Sequence, residues 1–204
     1  MMEGLHPRLH APVRGERYVA GLDPAGEGED ADASVLTIGR VAGRRCEVAE
    51  HVVWRGAPFR RLRAEAAAIA RSWRIERLCV DATGLGVPLA ADLAGELGRR
   101  VEAVVFTQRA KSSMGYALIA AAGAGDLTLY ADDGSREAAD CRAELRECPA
   151  SPGGHGGLSW GNASGHDDYV ASLALCLRAA EELGPARVAV GHPPRAGHVA
   201  GPGP

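Results

Sequence analysis

A chain of 204 residues suits one domain with a full core, and its formal net charge of −3 provides no overall basic surface for nucleic acid. No window supplies the roughly 18 uninterrupted apolar residues of a membrane span, and the N-terminal MMEGLHPRLHAPVRGERY lacks an apolar signal core, so a cytoplasmic protein without membrane association is expected. The 23 basic residues include a single lysine, Lys111, which follows Ala110; without Gly-Lys before Ser or Thr there is no phosphate-cradling ATPase loop, and no nucleotide cofactor is expected.

In chain order, residues 1–16 carry Pro, Gly and His without periodicity and read as an arm. Residues 18–22 are a short apolar run ending at Asp23. Residues 34–40 and 46–54 are strand-like, joined by a hairpin turn at Ala42-Gly43. Residues 59–73 have helical periodicity, with Phe59, Leu62, Ala66, Ile69, Ala70 and Trp73 on one face. A buried strand over 78–80 ends at Asp81. The turn T-G-L-G opens a helix over 87–97 that stops near Gly98. Then come a strand over 101–106, a helix over 112–122, a short strand over 127–130 and a helix over 135–148. The glycine-rich S-P-G-G-H-G-G is a loop, 158–160 a last short strand, and 167–183 the closing helix. The tail over 184–204, rich in Pro and Gly, is expected to be disordered.

A meander of three strands followed by alternating helices and strands implies an α/β fold. Its central sheet is mixed, an antiparallel meander plus parallel strands, with helices on both faces. Right-handed crossovers set the strand ending at Asp81 beside the one ending at Asp23. The five cysteines are odd in number and scattered, without a C-x-x-C pair, as for reduced thiols. Cys141 and Cys148, seven apart, share a helix face and read as buried rather than as zinc ligands with His155 and His166.

The functional signal lies in the carboxylates. Asp23 ends the first core strand and Asp81 a parallel one, at the sheet edge where sites gather. In S-G-H-D-D-Y-V-A-S, Asp167 and Asp168 open the last helix. If that helix starts at the same edge, the carboxylates converge and repel, and hard divalent cations relieve the repulsion. Two ions about 3.5–4 Å apart, bridged by Asp23 and flanked by Asp81 and the Asp167/Asp168 pair, could activate a water and stabilise the leaving oxygen of a phosphodiester. Adjacent helix residues project about 100° apart, so one aspartate is expected to ligate directly and the other through water or as a cap. From Trp54 to Arg77 seven arginines face two glutamates, Arg55 and Arg60 leading the run: either a phosphate-binding face or a solvated helix. G-L-G-V-P-L-A after Asp81 lacks a full dinucleotide-loop pattern and reads as a tight turn.

The stretches G-L-D-P-A-G-E-G-E-D-A-D-A-S-V-L from Gly21, V-D-A-T-G-L-G from Val80, V-V-F-T-Q-R-A-K-S from Val104 and G-H-D-D-Y-V-A-S-L-A-L from Gly165 carry a resemblance. Over about residues 17–183 the chain resembles the nuclease domain of the large terminase subunit of tailed bacteriophages, of the RNase H-like (retroviral integrase) superfamily. The resemblance implies an RNase H-like nuclease domain over 17–183 and metal-dependent cleavage of double-stranded DNA during genome packaging. It implies two Mg²⁺ or Mn²⁺ ions on Asp23, Asp81 and Asp167, with Asp168 as a fourth carboxylate. Lys111 matches a basic residue suited to a DNA phosphate, and Arg109, Arg55 and Arg60 join it as the expected DNA-binding set. His166 and Asp32, within the quoted stretches, are accessory candidates. The implied partners are a packaging ATPase, portal and small terminase proteins, in the host cytoplasm if the protein is phage-encoded. The packaging ATPase that normally precedes this domain is missing from the sequence. A resolvase-like nuclease for Holliday junctions and a weakly catalytic DNA-clamping or assembly module are the alternatives.

Overall fold

The computed structural model describes residues 6–28, 31–153, 156–161 and 166–183; the tail expected over 184–204 lies outside these, as does His155. Three strands form the meander: β1 (Arg17–Asp23), β2 (Ala33–Ala42) and β3 (Arg45–Arg55), each antiparallel to the next. After helix α1 (Phe59–Ser72) comes β4 (Arg77–Asp81), parallel to β1. Helix α2 (Gly86–Leu97) leads to β5 (Val101–Val104), parallel to β4, and α3 (Gln108–Ala124) to β6 (Leu127–Thr128), parallel to β3. Helix α4 (Arg136–Glu147), a small hairpin of β7 (Ala150–Pro152) and β8 (Leu158–Trp160), and α5 (Asp168–Leu183) complete the chain. The six-stranded sheet runs β5-β4-β1-β2-β3-β6, so the strands ending in Asp23 and Asp81 are neighbours, as the crossover rule requires. No helix among the described residues is long and apolar enough to cross a membrane.

Alternation along the strands separates two cores. Tyr18, Ala20 and Leu22 of β1 and Leu78 and Val80 of β4 pack with Leu62 and Ala66 of α1 and Leu89 and Leu93 of α2. Val19 of β1 and Cys79 of β4 face the opposite way, toward Leu173, Cys176 and Leu177 of α5 and Met114 of α3. Each fully buried leucine among them contributes about 1.5–3 kcal/mol. The period of two has a direct consequence for the acids. Asp23 shares the face of Val19 and Gly21, and Asp81 the face of Cys79, so both project on the α5 side.

Helix α5 is buried on nearly all its surface, from Tyr169 to Leu177 without a break. It rests its backbone on β1: a Cβ at Gly21 would collide with the Ser172 carbonyl and the Cys176 amide. Only glycine permits that approach. The Thr37 and Ser172 hydroxyls bond at 2.7 Å across the same contact. Residues 6–16, read from sequence as an arm, lie against the sheet. Leu9 N donates to Ala49 O at 2.8 Å and Ala131 N to His6 O at 2.9 Å. Arg8 reaches Glu50 and, at 3.0 Å, the His51 carbonyl.

Four expectations change. The helix expected over 112–122 starts at Gln108, because Thr107 Oγ1 accepts Ala110 N at 3.1 Å and caps an exposed polar turn that carries no apolar period. The strand over 101–106 stops at Val104, where Phe106 N turns to Thr83 Oγ1 at 3.0 Å. The strand over 127–130 keeps two residues. The exposed β7 was not expected at all.

Candidate active site

Asp23 ends β1 opposite Val35, and Leu22 pairs with Val80, which sets Asp23 next to Asp81 across the parallel register. Ser34 Oγ accepts Ala25 N at 2.8 Å and fixes the turn that follows. Asp81 Oδ1 accepts Thr83 N at 2.8 Å and Thr83 Oγ1 at 2.6 Å. Thr83 is in turn tied to Phe106, so the Asp81 carboxylate is oriented by the loop after β5.

The N-terminus of α5 arrives at this edge because Gly21 lets the helix lie along β1. Asp167 precedes the helix and its backbone oxygen accepts Ala171 N at 2.8 Å. Its Oδ2 faces Lys111 Nζ at 3.6 Å. Lys111 is itself held: its carbonyl accepts Trp160 Nε1 at 2.6 Å and its ammonium lies 4.7 Å from the Trp160 ring centre. Behind the pair is Gly161, at φ 107°, where a Cβ would strike Asp167 Oδ2 and come within 2.8 Å of Lys111 Nζ.

Asp168 is the less exposed of the two, with 13 % of its side chain accessible. His166 Nδ1 lies 3.9 Å from its Oδ2 and 2.9 Å from Asp32 Oδ1. One ligand atom from each of Asp32, His166 and Asp168 falls within 4.8 Å of the others.

The electrostatics are those of acids crowded together. Burial, then the charges of Asp81, Asp168 and Asp167, push the Asp23 carboxyl well above the carboxylate range, against the pull of Lys111. Burial raises Asp81 as well, opposed by its Thr83 hydrogen bonds and by Lys111. Asp168 is pushed up to about 6 by burial and by Asp32, against a hydrogen bond from the Ala33 backbone and the nearby His166. Carboxyl groups that resist ionisation for want of positive charge, offering only oxygen donors, fit hard divalent cations. The fit is to the donor set and its charge, and Asp23, Asp81, Asp167 and Asp168 are the residues that could hold such ions.

The structure thus brings together Asp23, Asp81, Asp167, Asp168 and Lys111, with His166 and Asp32 on the Asp168 side. The three arginines and one lysine expected to meet DNA are all at this edge. Lys111 and Arg109 sit in the first turn of α3, after β5; Arg55 ends β3 opposite Ala33; Arg60 is in the first turn of α1. Their charges are not equally available. Arg55 pairs with Asp140 at 3.0 Å, whereas Arg60 and Arg109 are exposed and have no carboxylate partner among the described residues. Several other arginines of the basic run are paired with carboxylates. Arg61 pairs with Glu65, Arg63 and Arg71 with Glu96, and Arg77 with Glu102 and Glu182.

Three residues of the site were not found from sequence. Thr83 carried a local signal, since an aspartate two residues ahead of a threonine can accept its N–H. Gly161 carried none. Glu144 of α4 is the third. Its Oε2 accepts Tyr169 N at 2.8 Å, at the start of α5. Burial pushes it up to about 7, against the Tyr169 and Val170 N–H groups and with the charges of Asp168 and Asp167 adding to the rise. Of the two roles left open for the second aspartate, ligation through water or a cap, the cap is filled instead by Glu144.

A family model, the terminase RNaseH-like domain, matches residues 20–179. Among solved structures the chain is similar to the large terminase nuclease from thermophilic phage G20c, with a TM-score of 0.69 at 20 % identity over 87 % of this chain and 94 % of that one. The large terminase nuclease domain of Thermus phage P74-26 gives a TM-score of 0.64 at 18 % identity, over 86 % and 90 %. The nuclease domain of the large terminase subunit of bacterial virus Sf6 gives 0.61 at 14 %, over 82 % and 89 %. The G20c nuclease has been crystallised with magnesium, cobalt and zinc. At these identities the likeness to the structures is one of fold. No curated protein matches the chain.

Proposed function

Because the chain belongs to the terminase RNaseH-like domain family, we propose that it is a metal-dependent endonuclease that cuts double-stranded DNA with two divalent ions, Mg²⁺ or Mn²⁺, as in terminase-driven genome packaging. One observation carries this reading: four carboxylates, Asp23, Asp81, Asp167 and Asp168, meet at one sheet edge, and each of the other three raises the Asp23 carboxyl. Divalent ions bound there would polarise a phosphodiester oxygen and lower the pKa of an attacking water. Asp23, between Asp81 on one side and the helix pair on the other, would hold both ions. Asp81 is pre-oriented by Thr83, so its ligating direction needs no reordering when an ion arrives. Lys111 supplies a fixed positive charge beside the carboxylates, placed to hold a phosphate oxygen. Arg109 and Arg60, exposed in the first turns of α3 and α1, are the residues for flanking phosphates; Arg55 has first to be freed from Asp140. His166 and Asp32 act next to Asp168. Partners follow from the family rather than from this site: packaging ATPase, portal and small terminase.

The test is plasmid digestion with Mg²⁺ or Mn²⁺ against EDTA, beside a four-way junction and a linear duplex. Metal-dependent nicking and linearisation of plasmid supports the reading. Cutting confined to the junction points to a resolvase. Metal-dependent binding with plasmid left intact points to a clamping module.

A further inference from the structure

The first turn of a helix leaves N–H groups without partners, and a helix that begins inside the protein must find acceptors for them. Aspartate is among the residues best suited to that task. Helix α5 has two at its entrance, and neither carboxylate serves. Asp167 Oδ2 is turned to Lys111, and Asp168 is turned to Ala33 and His166. The acceptor comes from 25 residues upstream, where Glu144 Oε2 takes the Tyr169 N–H at 2.8 Å.

Helix α1 gives the contrast. It is also capped by a distant carboxylate, Glu27 Oε1 accepting Phe59 N at 2.6 Å. There the N-cap residue is Pro58, which has no side-chain acceptor to offer. At α5 suitable acceptors are present and turned away, and a further acid has been brought in beside them at an electrostatic cost.

We infer that Glu144 is a positioning residue for the metal site: by satisfying the α5 terminus it keeps Asp167 and Asp168 out of the capping role and free to ligate. The inference rests on the metal-nuclease reading above. Without Glu144, the unpaired N–H groups would draw in the nearest carboxylate, Asp167 or Asp168, and remove it from the cation. A glutamine keeps an acceptor oxygen at the same reach, whereas an aspartate keeps the charge but is one methylene too short.

Calorimetric titration of the full chain with Mn²⁺ alone, without DNA, beside thermal melts, tests this. Glu144→Gln should bind Mn²⁺ like the parent. Glu144→Ala and Glu144→Asp should bind about 10- to 100-fold more weakly, the range for losing a group that holds a ligand in place. Should the alanine variant not fold, the comparison of aspartate with glutamine carries the test. Variants that melt lower yet bind Mn²⁺ as the parent does would make Glu144 a plain cap and overturn the inference. Glutamine as weak as alanine would make Glu144 a ligand in its own right, which overturns it equally. A parent chain that binds no Mn²⁺ overturns the metal reading itself, and this inference with it.

Discussion

The two ends of the same sheet treat charge in opposite ways. At the far end, where β4 and β5 begin and α5 finishes, acids and bases balance. Glu102 takes Arg77 at 2.9 Å and Arg178 at 2.6 Å, and Glu182 joins both arginines. Burial works to raise Glu102, but its hydrogen bonds, that from Arg178 foremost, hold it down to about 2. At the near end, Asp23, Asp81 and Asp167 share Lys111, with His166 beside Asp168; burial raises Asp23, Asp81 and Asp168, and neighbouring carboxylates add to the rise of Asp23 and Asp168. Helix α5 spans both, with Asp168 at one end and Arg178 and Glu182 toward the other. A satisfied network holds structure together. An unsatisfied one stores unfavourable energy that a cation could release, so the comparison separates the end that stabilises from the end suited to binding one.

The hardest test of that contrast is Asp23→Asn. It should lower plasmid cleavage at least about a thousandfold, about 4 kcal/mol of barrier, because the shared carboxylate is gone. In EDTA the same variant should melt higher by about 2–4 °C, or about 1 kcal/mol, since a repelling acid has been removed. A variant that cleaves like the parent, or melts lower in EDTA, breaks the distinction.

Gly161→Ala comes next. The added Cβ must part Asp167 from Lys111, and displacing a catalytic group by about 1 Å can cost about 100-fold in rate. Single-turnover cleavage at saturating Mn²⁺ would register the loss, and rates within threefold or so of the parent would show that the pair is not used as placed.

At the far end the expected signature reverses. Arg178→Met should lower stability by about 1–2 kcal/mol, discounted for partial exposure, and leave cleavage per folded molecule unchanged. The pH dependence follows from sign. Glu102 is lower in the folded chain, about 2, than in the unfolded one, about 4.3. Its contribution is therefore complete above the unfolded value and is lost as pH falls toward the folded one. Melting temperatures between pH 5 and pH 2, about the window set by these values, should fall more steeply in the parent than in the variant.

The smallest effect should be at His166. An imidazole beside two carboxylates favours Co²⁺ or Zn²⁺ over Mg²⁺. His166→Ala should weaken Co²⁺ binding a few-fold, about 1 kcal/mol, with Mg²⁺ binding unaltered. Equal losses for both metals would return His166 to a purely steric role.

Much of this was legible in the sequence because it is local or periodic. Apolar runs that stop at an aspartate fixed Asp23 and Asp81 at strand ends, and the period of two then decided their face. The hairpin turn at Ala42-Gly43 appears where expected, with Gly43 at φ 65°. What failed depended on partners far along the chain. The pairing of Arg55 with Asp140 and of Arg63 and Arg71 with Glu96 joins residues that no local window connects. The polar first turn of α3 hides its start because exposed residues carry no apolar period. Glu144 reaches Tyr169 through the packing of two helices, and no spacing rule announces that contact.

The seating of α5 on Gly21 also bears on the order in which the chain is made. Asp23 leaves the ribosome well before the helix that brings Asp167 and Asp168 against it, which ends at Leu183. At about 5–20 residues per second, the first strand waits roughly 10–30 seconds for its last partner. Until that helix docks on β1 the four acids belong to separate parts of a growing polymer. On the metal-nuclease reading proposed above, the site would therefore stay unassembled until α5 has been synthesised.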